Sequence, residues 1–449
     1  MKRISRFVAI ALLLAIVGGC VYLNSLMPII TGYAAKNLAS AVFVSGREAK
    51  DVEALDLNFS VIRYTTNAVD YERKTVTSRL LWGKSTAAYR EGRGVTLLRG
   101  TNGDLSDELY FPQILLEEMQ AQQDSMPKAL PAVGDSATRE RLAPIAKAFV
   151  QERAYGGHPF AFVVLKDGKV VAESYDEGIG PNTKLLSWSM AKSFTNALVG
   201  IMAKDGLVSI HAPMDIPEWQ GDGRKSITLH DLMQMQSGLK WDENYGARSD
   251  VNVMLHCERD MGRFALSKPL EFEPGSHWQY SSGSTNIVMR YLRSRFPSDE
   301  DFLHYMHTKL FLPLGIYDEV FEQDMSGTPL GSSYLYVTAM DYARFGQMYL
   351  DDGCVHGTRV LPEGWVDYTH TPAANSGDEY GAFFWLNLSG KFPDAPKDMF
   401  NCVGHDGQNI FILPSQQLVI VILGYSPKPN NVIDFNSLLG DIIGQTQLR

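Results

Sequence analysis

Cysteine is scarce, with four residues in a chain of 449. That excludes a disulfide-built scaffold, which packs several bridges into a short chain. No two cysteines stand at Cys-x-x-Cys spacing, so zinc-ribbon and thioredoxin-like chemistry have no support. Positive charge is also short: 41 Lys+Arg stand against 51 Asp+Glu, a net charge of −10. Nucleic-acid binders present a basic footprint, so no nucleic-acid partner is expected. Proline (21) and glycine (39) do not dominate, which excludes wholesale disorder. Several motifs are missing as well. There is no G-x-S-x-G elbow and no H-E-x-x-H pair. Gly83-Lys84-Ser85 ends like a phosphate loop, but Ser78 stands where that loop needs its first glycine. His304 and His307 share a helical face with no third ligand nearby, so no metal is expected. No repeat or low-complexity tract is found.

Long apolar runs are confined to the start of the chain. Lys2, Arg3 and Arg6 precede Phe7 to Leu23, which carries no charge. A basic stretch before an apolar one is the pattern of an export signal. Two readings stay open. Val17-Gly18-Gly19-Cys20 fits a lipoprotein cleavage site, which would leave a lipidated Cys20. Alternatively the stretch stays as an uncleaved signal anchor. At about 1.5 Å per residue it falls slightly short of a ~30 Å hydrocarbon core but lies within the spanning range. The basic start keeps the N-terminus cytoplasmic, so either reading exports the bulk and attaches it to the periplasmic side of the membrane. Cys257, Cys354 and Cys402 lie in that exported part, where a pair could form a disulfide.

The length favours two or three domains. Residues 1–30 read as the signal, 31–135 as a lead-in of unknown role, and 136–449 as one catalytic-looking unit. In the lead-in, 75–82 and 94–98 read as short strands and 114–126 as a helix. Glu140 to Arg153 then has helical spacing. Asp167-Gly168 between the apolar runs 161–165 and 170–174 signals a hairpin. A second hairpin, 410–413 with 418–423, and a helix over 432–443 close the chain. This predicts an α/β fold of the α+β type: an antiparallel sheet completed by both ends, flanked by helices, around an all-helical interior.

The chemistry lies in three short motifs. Ser189-Met190-Ala191-Lys192 opens a helical pattern, and a spacing of three puts both side chains on one face. At a helix N-terminus Ser189 would meet free N–H groups and a dipole that favours negative charge. Lys192, if buried, would lose proton affinity and could take the serine proton. Alone, this pattern also fits a capping serine beside a solvated lysine. Two further motifs follow in order: Tyr280-Ser281-Ser282 behind Pro274-Gly275, and Gly404-His405-Asp406-Gly407-Gln408 before the closing hairpin.

In that order the motifs resemble those of the serine β-lactamase and penicillin-binding-protein superfamily. The similar branch holds class C β-lactamases, related esterases and 6-aminohexanoate-oligomer hydrolases. Ser237-Gly238-Leu239 and Tyr336 to Gly346 also fit, and the resemblance spans roughly Arg139 to Gly444. It implies a β-lactamase-like fold and an acyl-enzyme on Ser189. Lys192 would support proton transfer. Tyr280 would be the general base or acid, its phenol acidified by nearby positive charge. Ser282 and His405 would lie on the substrate side. Gly407 would keep an edge strand open to substrate, and the Gln408 N–H would join that of Ser189 as an oxyanion hole.

Two departures shift the expected substrate. Ser282 stands where the family often has asparagine, and His405-Asp406-Gly407 has lost the usual lysine. The expectation is therefore a serine hydrolase acting on a small-molecule ester or amide without a cofactor. D,D-peptidase or β-lactamase activity is the alternative within enzymes. A non-catalytic cell-wall or partner-binding module is the alternative outside them. Trp241 to Tyr245 resembles a substrate-side loop of the 6-aminohexanoate branch, although a solvated loop is the plainer reading.

Overall fold

The computed structural model describes residues 2–100, 112–125 and 131–448. The chain opens with α1 (Lys2–Phe43), one helix with two environments. From Ile10 to Asn24 every side chain is exposed, whereas Met27, Ile30, Ala34, Ala35, Leu38 and Ala39 are buried. The helix thus runs through residue 30 without a break. Its inner half is covered by a meander of β1 (Thr66–Asp70), β2 (Thr75–Leu80), β3 (Gly83–Arg90) and β4 (Gly94–Leu97). Val76, Ala87, Val95 and Leu97 supply the sheet side of that core. The small residues of α1 let helix and sheet approach closely. A Cβ on Gly83 would lie 2.7 Å from that of Met27.

The expected helix after this sheet is α2 (Gln113–Ser125), and Met126 lies outside the described residues. It docks through Leu115 and Met119 on the main core and through Gln122, whose Oε1 is 2.7 Å from His307 Nε2. His307 and His304 face the carboxylates of Glu319 and Glu118.

Next come α3 (Ser136–Val150), β5 (Pro159–Lys166) and β6 (Lys169–Tyr175). Asp167 and Gly168 both have positive φ, as a two-residue hairpin turn demands. After α4 (Ala191–Lys204), α5 (Ser282–Arg293) and α6 (Ala339–Leu350), the sheet is completed by β7 (Trp385–Leu386), β8 (Phe400–Val403), β9 (Asn409–Leu413) and β10 (Leu418–Gly424). The last helix is α7 (Phe435–Gln447). The six-stranded antiparallel sheet has the order β7-β8-β9-β10-β5-β6, so the closing hairpin pairs with the opening one.

Alternation along β5 divides the two faces. Phe162 and Val164 point to α3 and α7 among Leu142, Phe149, Leu438 and Ile442. Ala161, Val163 and Leu165 point to the opposite core with Phe194 of α4 and Phe345 of α6, whose rings stack at 3.7 Å. Burial on both faces is why β5 reads as a continuous apolar run rather than an alternating one. Gly346 brings α6 against the sheet, since a Cβ there would lie 2.6 Å from Val419 Cγ1.

Lead-in and sheet domain meet through a buried ion pair. Lys36 of α1 contacts Glu322 and donates to the Val95 carbonyl at 2.6 Å. Glu322 also accepts from Ser40 Oγ and, at 2.8 Å, from the Val95 N–H. Burial pushes Glu322 up, and the Lys36 charge and its hydrogen bonds pull it back.

Candidate active site

Ser189 sits in a tight turn, Trp188–Met190, that leads directly into α4. Trp188 has φ of +44°, a left-handed conformation that costs a bulky residue about 1–3 kcal/mol. The neighbours hold it there. Ser187 Oγ donates to the Trp188 carbonyl at 2.9 Å and accepts from the Leu335 N–H at 3.1 Å. Tyr33 of α1 stacks on the Trp188 ring with centroids 6.4 Å apart, so the lead-in backs the nucleophile turn.

One turn on, Lys192 is buried beneath Ser189. Its ammonium donates to Ser189 Oγ at 3.0 Å, to Ser282 Oγ at 3.0 Å and to the Ser332 carbonyl at 3.1 Å. Burial lowers its pKa to about 8, against an opposing pull from Glu243. The Lys192 nitrogen also lies 4.9 Å from the centre of the Tyr280 ring. Tyr280 is wedged against Tyr380 and Trp385. Its phenol is not acidified as the resemblance implied. Burial, and then the Glu243 carboxylate, push it well above the ordinary value, while its hydrogen bond with Ser189 pulls the other way.

Glu243, met in the sequence only as part of the Trp241–Tyr245 stretch, stands at the centre of the site. Its carboxylate accepts from Trp241 Nε1, from the Ser282 N–H at 2.9 Å, from Ser282 Oγ and from the Tyr245 hydroxyl at 2.9 Å. Within the segment 241–245, Trp241 and Glu243 thus turn inward to the site, while Asp242, Asn244 and Tyr245 remain exposed. Its signal was the alternation Trp241, Glu243, Tyr245, which puts an indole, a carboxylate and a phenol on one side of an extended segment. Ser282 was expected on the substrate side. It is fully buried, and its hydroxyl is engaged by Lys192 and Glu243, so it links ammonium to carboxylate.

The third motif also takes a different form. His405-Asp406-Gly407 is a tight turn between β8 and β9, not part of an edge strand. Asp406 has φ of +57° and Gly407 of +91°, and only glycine adopts the latter without strain. The strand beside the nucleophile turn is β8, and Gly404 just after it lets the backbone pass: a Cβ there would be 2.3 Å from the Ser187 carbonyl oxygen. His405 does reach the site, with its exposed ring 5.7 Å from Trp188 and 5.3 Å from Tyr245. The Gln408 side chain is buried in bracing β10, donating to the Gly424 carbonyl and accepting from the Gly424 N–H at 2.9 Å. Cys20, the expected lipid site, is exposed on the outer half of α1. All four cysteines are unpaired. Among the described residues no three His, Cys, Asp or Glu side chains cluster as metal ligands.

A serine turn feeding a helix, a buried lysine one turn on and a tyrosine over it, beside an antiparallel sheet, define a hydrolase of the serine β-lactamase superfamily. The Beta-lactamase family model matches residues 144–436, and the chain belongs to that family. It is 26% identical over 297 residues to the 6-aminohexanoate-dimer hydrolase of Paenarthrobacter ureafaciens, covering 60% of this chain and 73% of that one. A Bacillus anthracis structure, provisionally named as a 6-aminohexanoate-dimer hydrolase, superposes with a TM-score of 0.56 at 19% identity, over 77% of this chain and 96% of that one. A β-lactamase from Mycobacterium bovis gives a TM-score of 0.51 at 14% identity, over 68% and 100%. The structural likenesses bear on the fold.

Proposed function

We propose that the protein is a serine hydrolase that cleaves a linear ester or amide through an acyl-enzyme on Ser189. The observation that carries this is the bond between the buried Lys192 ammonium and Ser189 Oγ at 3.0 Å, with the lysine brought down to about 8. At that value a useful fraction is neutral near neutral pH and can take the serine proton as Oγ attacks the substrate carbonyl. The proton then passes to the leaving alkoxide or amine, with the neutral Tyr280 hydroxyl as donor on that side. Water enters by the reverse path and releases the acid. In this reading the Ser189 N–H contributes to oxyanion stabilisation at the start of α4, with the Gln408 N–H as its partner. Glu243, through Ser282, sets the charge on Lys192. His405 and Tyr245 line the substrate side.

The lack of a third-motif lysine supports an ester or simple amide over a β-lactam. The 26% identity to a 6-aminohexanoate-dimer hydrolase supports the same choice. The division into a signal to about residue 30, a lead-in to 135 and a hydrolase unit from 136 remains part of the proposal, with the lead-in backing Trp188. For attachment, α1 from Ile10 to Phe43 is long and apolar enough to cross a membrane. An uncleaved anchor is favoured over a lipidated Cys20, because one continuous helix joins the apolar stretch to the core.

The test is labelling and turnover by the full chain. Ser189→Ala and Lys192→Met should abolish fluorophosphonate labelling and hydrolysis of short p-nitrophenyl esters, while melting temperatures stay near that of the parent. Undiminished labelling of Ser189→Ala would overturn Ser189 as the nucleophile, and no labelling or turnover by the parent would favour a binding module instead.

A further inference from the structure

The β2–β3 hairpin ends in a feature that neither the catalytic site nor the core explains. Its sequence is Arg79-Leu80-Leu81-Trp82-Gly83-Lys84. Leu80 pairs with Gly83, so Leu81 and Trp82 form a two-residue turn. Both are largely in solvent, with 74% and 56% of their surface exposed. Leu81 has φ of +51°. Turns of this kind usually place Gly or Asn there, because a side chain like leucine is strained in that region. An apolar residue is therefore kept at a tip where a small polar one would be more stable. One rung behind, Arg79 and Lys84 face each other across the hairpin, and both are exposed.

The position of the tip gives it meaning. Trp82 Nε1 donates to Asn24 Oδ1 at 3.0 Å, and Gly83 packs on Met27. Among the described side chains of α1, Asn24 is the last exposed one and Met27 is the first buried one. The hairpin therefore lies level with the point where the apolar helix enters the protein. Tyr22, also exposed, stands on the helix just before it. Trp and Tyr gather at that depth in membranes, and basic side chains beside them meet anionic headgroups.

We propose that the tip from Arg79 to Lys84 is a second membrane contact, with Leu81 and Trp82 in the headgroup–acyl boundary and Arg79 and Lys84 on anionic headgroups. The inference rests on reading α1 as a membrane anchor. Its partner is the bilayer that the helix already crosses, and the hairpin continues the same apolar surface. Two contacts fix what one helix leaves free, the rotation of the domain about the helix axis. From Asn24 to Tyr33 is nine residues, about 14 Å of helix. Tyr33 stacks on Trp188, so the nucleophile turn is held at a fixed, short height above the lipid surface.

The experiment reconstitutes the full chain in vesicles of phosphatidylcholine with or without phosphatidylglycerol. Both contain a phospholipid carrying a photoreactive diazirine near the headgroup, and adducts are mapped by mass spectrometry. The expected result is adducts on α1 and also on the peptide holding Leu81 and Trp82, the latter increased by phosphatidylglycerol. In the double variant Leu81→Asn, Trp82→Ser the hairpin adducts should fall to background with no fall in melting temperature, since asparagine suits the positive φ. Adducts on α1 alone would overturn the hairpin proposal and leave the anchor intact. Adducts on neither would overturn the anchor reading, and this proposal with it.

Discussion

The state of Lys192 can be tested through the pH dependence of Ser189 labelling. Lys192 is held at about 8 by burial, with Glu243 opposing that shift. Only the neutral amine can take the serine proton. A group with that pKa is about one-tenth neutral at pH 7 and about nine-tenths neutral at pH 9. The second-order rate of labelling by a fluorophosphonate should therefore rise roughly tenfold between those values, with its midpoint near the lysine's own. Tyr280 adds no inflection in this window, because burial and Glu243 hold its phenol far above it. Glu243→Gln keeps the shape of the side chain but removes the charge that favours the ammonium. The midpoint should then move to lower pH. Its plateau can fall as well, since one amide oxygen cannot accept all the bonds the carboxylate does, so the midpoint is the quantity to read. A rate that is flat or declines from pH 7 to 9 would refute Lys192 as the base. A midpoint unmoved in Glu243→Gln would refute the electrostatic role of Glu243.

Two further outcomes concern stability. Lys36→Met leaves the Glu322 carboxylate buried without its cation, a loss of about 3–5 kcal/mol, whereas Lys36→Met with Glu322→Gln should recover most of it, as denaturant unfolding would show. Gly346→Ala pushes a methyl into Val419 and Ile410, and overpacking of this kind costs about 1–3 kcal/mol, which a lowered melting temperature would reveal.

Much of the sheet domain was legible because its signals are local. Asp167-Gly168 fixes a hairpin through its own φ angles, and the 410–423 hairpin follows from apolar runs around a turn. The order of Ser189, Lys192 and Tyr280 was legible too, since a three-residue spacing on a helix is itself geometry. What was not legible depended on distant partners. Lys36 interrupts an apolar stretch, and nothing near it shows that Glu322 will meet it. Ser282 looked like a substrate contact until Glu243 and Lys192 closed on it from two other segments. The pKa of Tyr280 was misjudged for the same reason: Lys192 was in view, but the opposing carboxylate was not. The third motif was expected as a strand because its relatives' pattern suggests one, and the positive φ of Asp406 and Gly407 turns it into a bend instead.

The inner half of α1 also bears on how the protein is made. Lys36 leaves the ribosome long before its partners, since Val95 follows 59 residues later and Glu322 follows 286 residues later. Until then its ammonium has no partner, and placing it at the centre of a bilayer would cost about 2.5–3.5 kcal/mol. In the newly made chain it therefore depends on water until the rest of the protein is present. Once Glu322 arrives, the same charge becomes the tie that fastens the helix to the catalytic unit. The Lys36–Glu322 pair can therefore close only after most of the chain has been made.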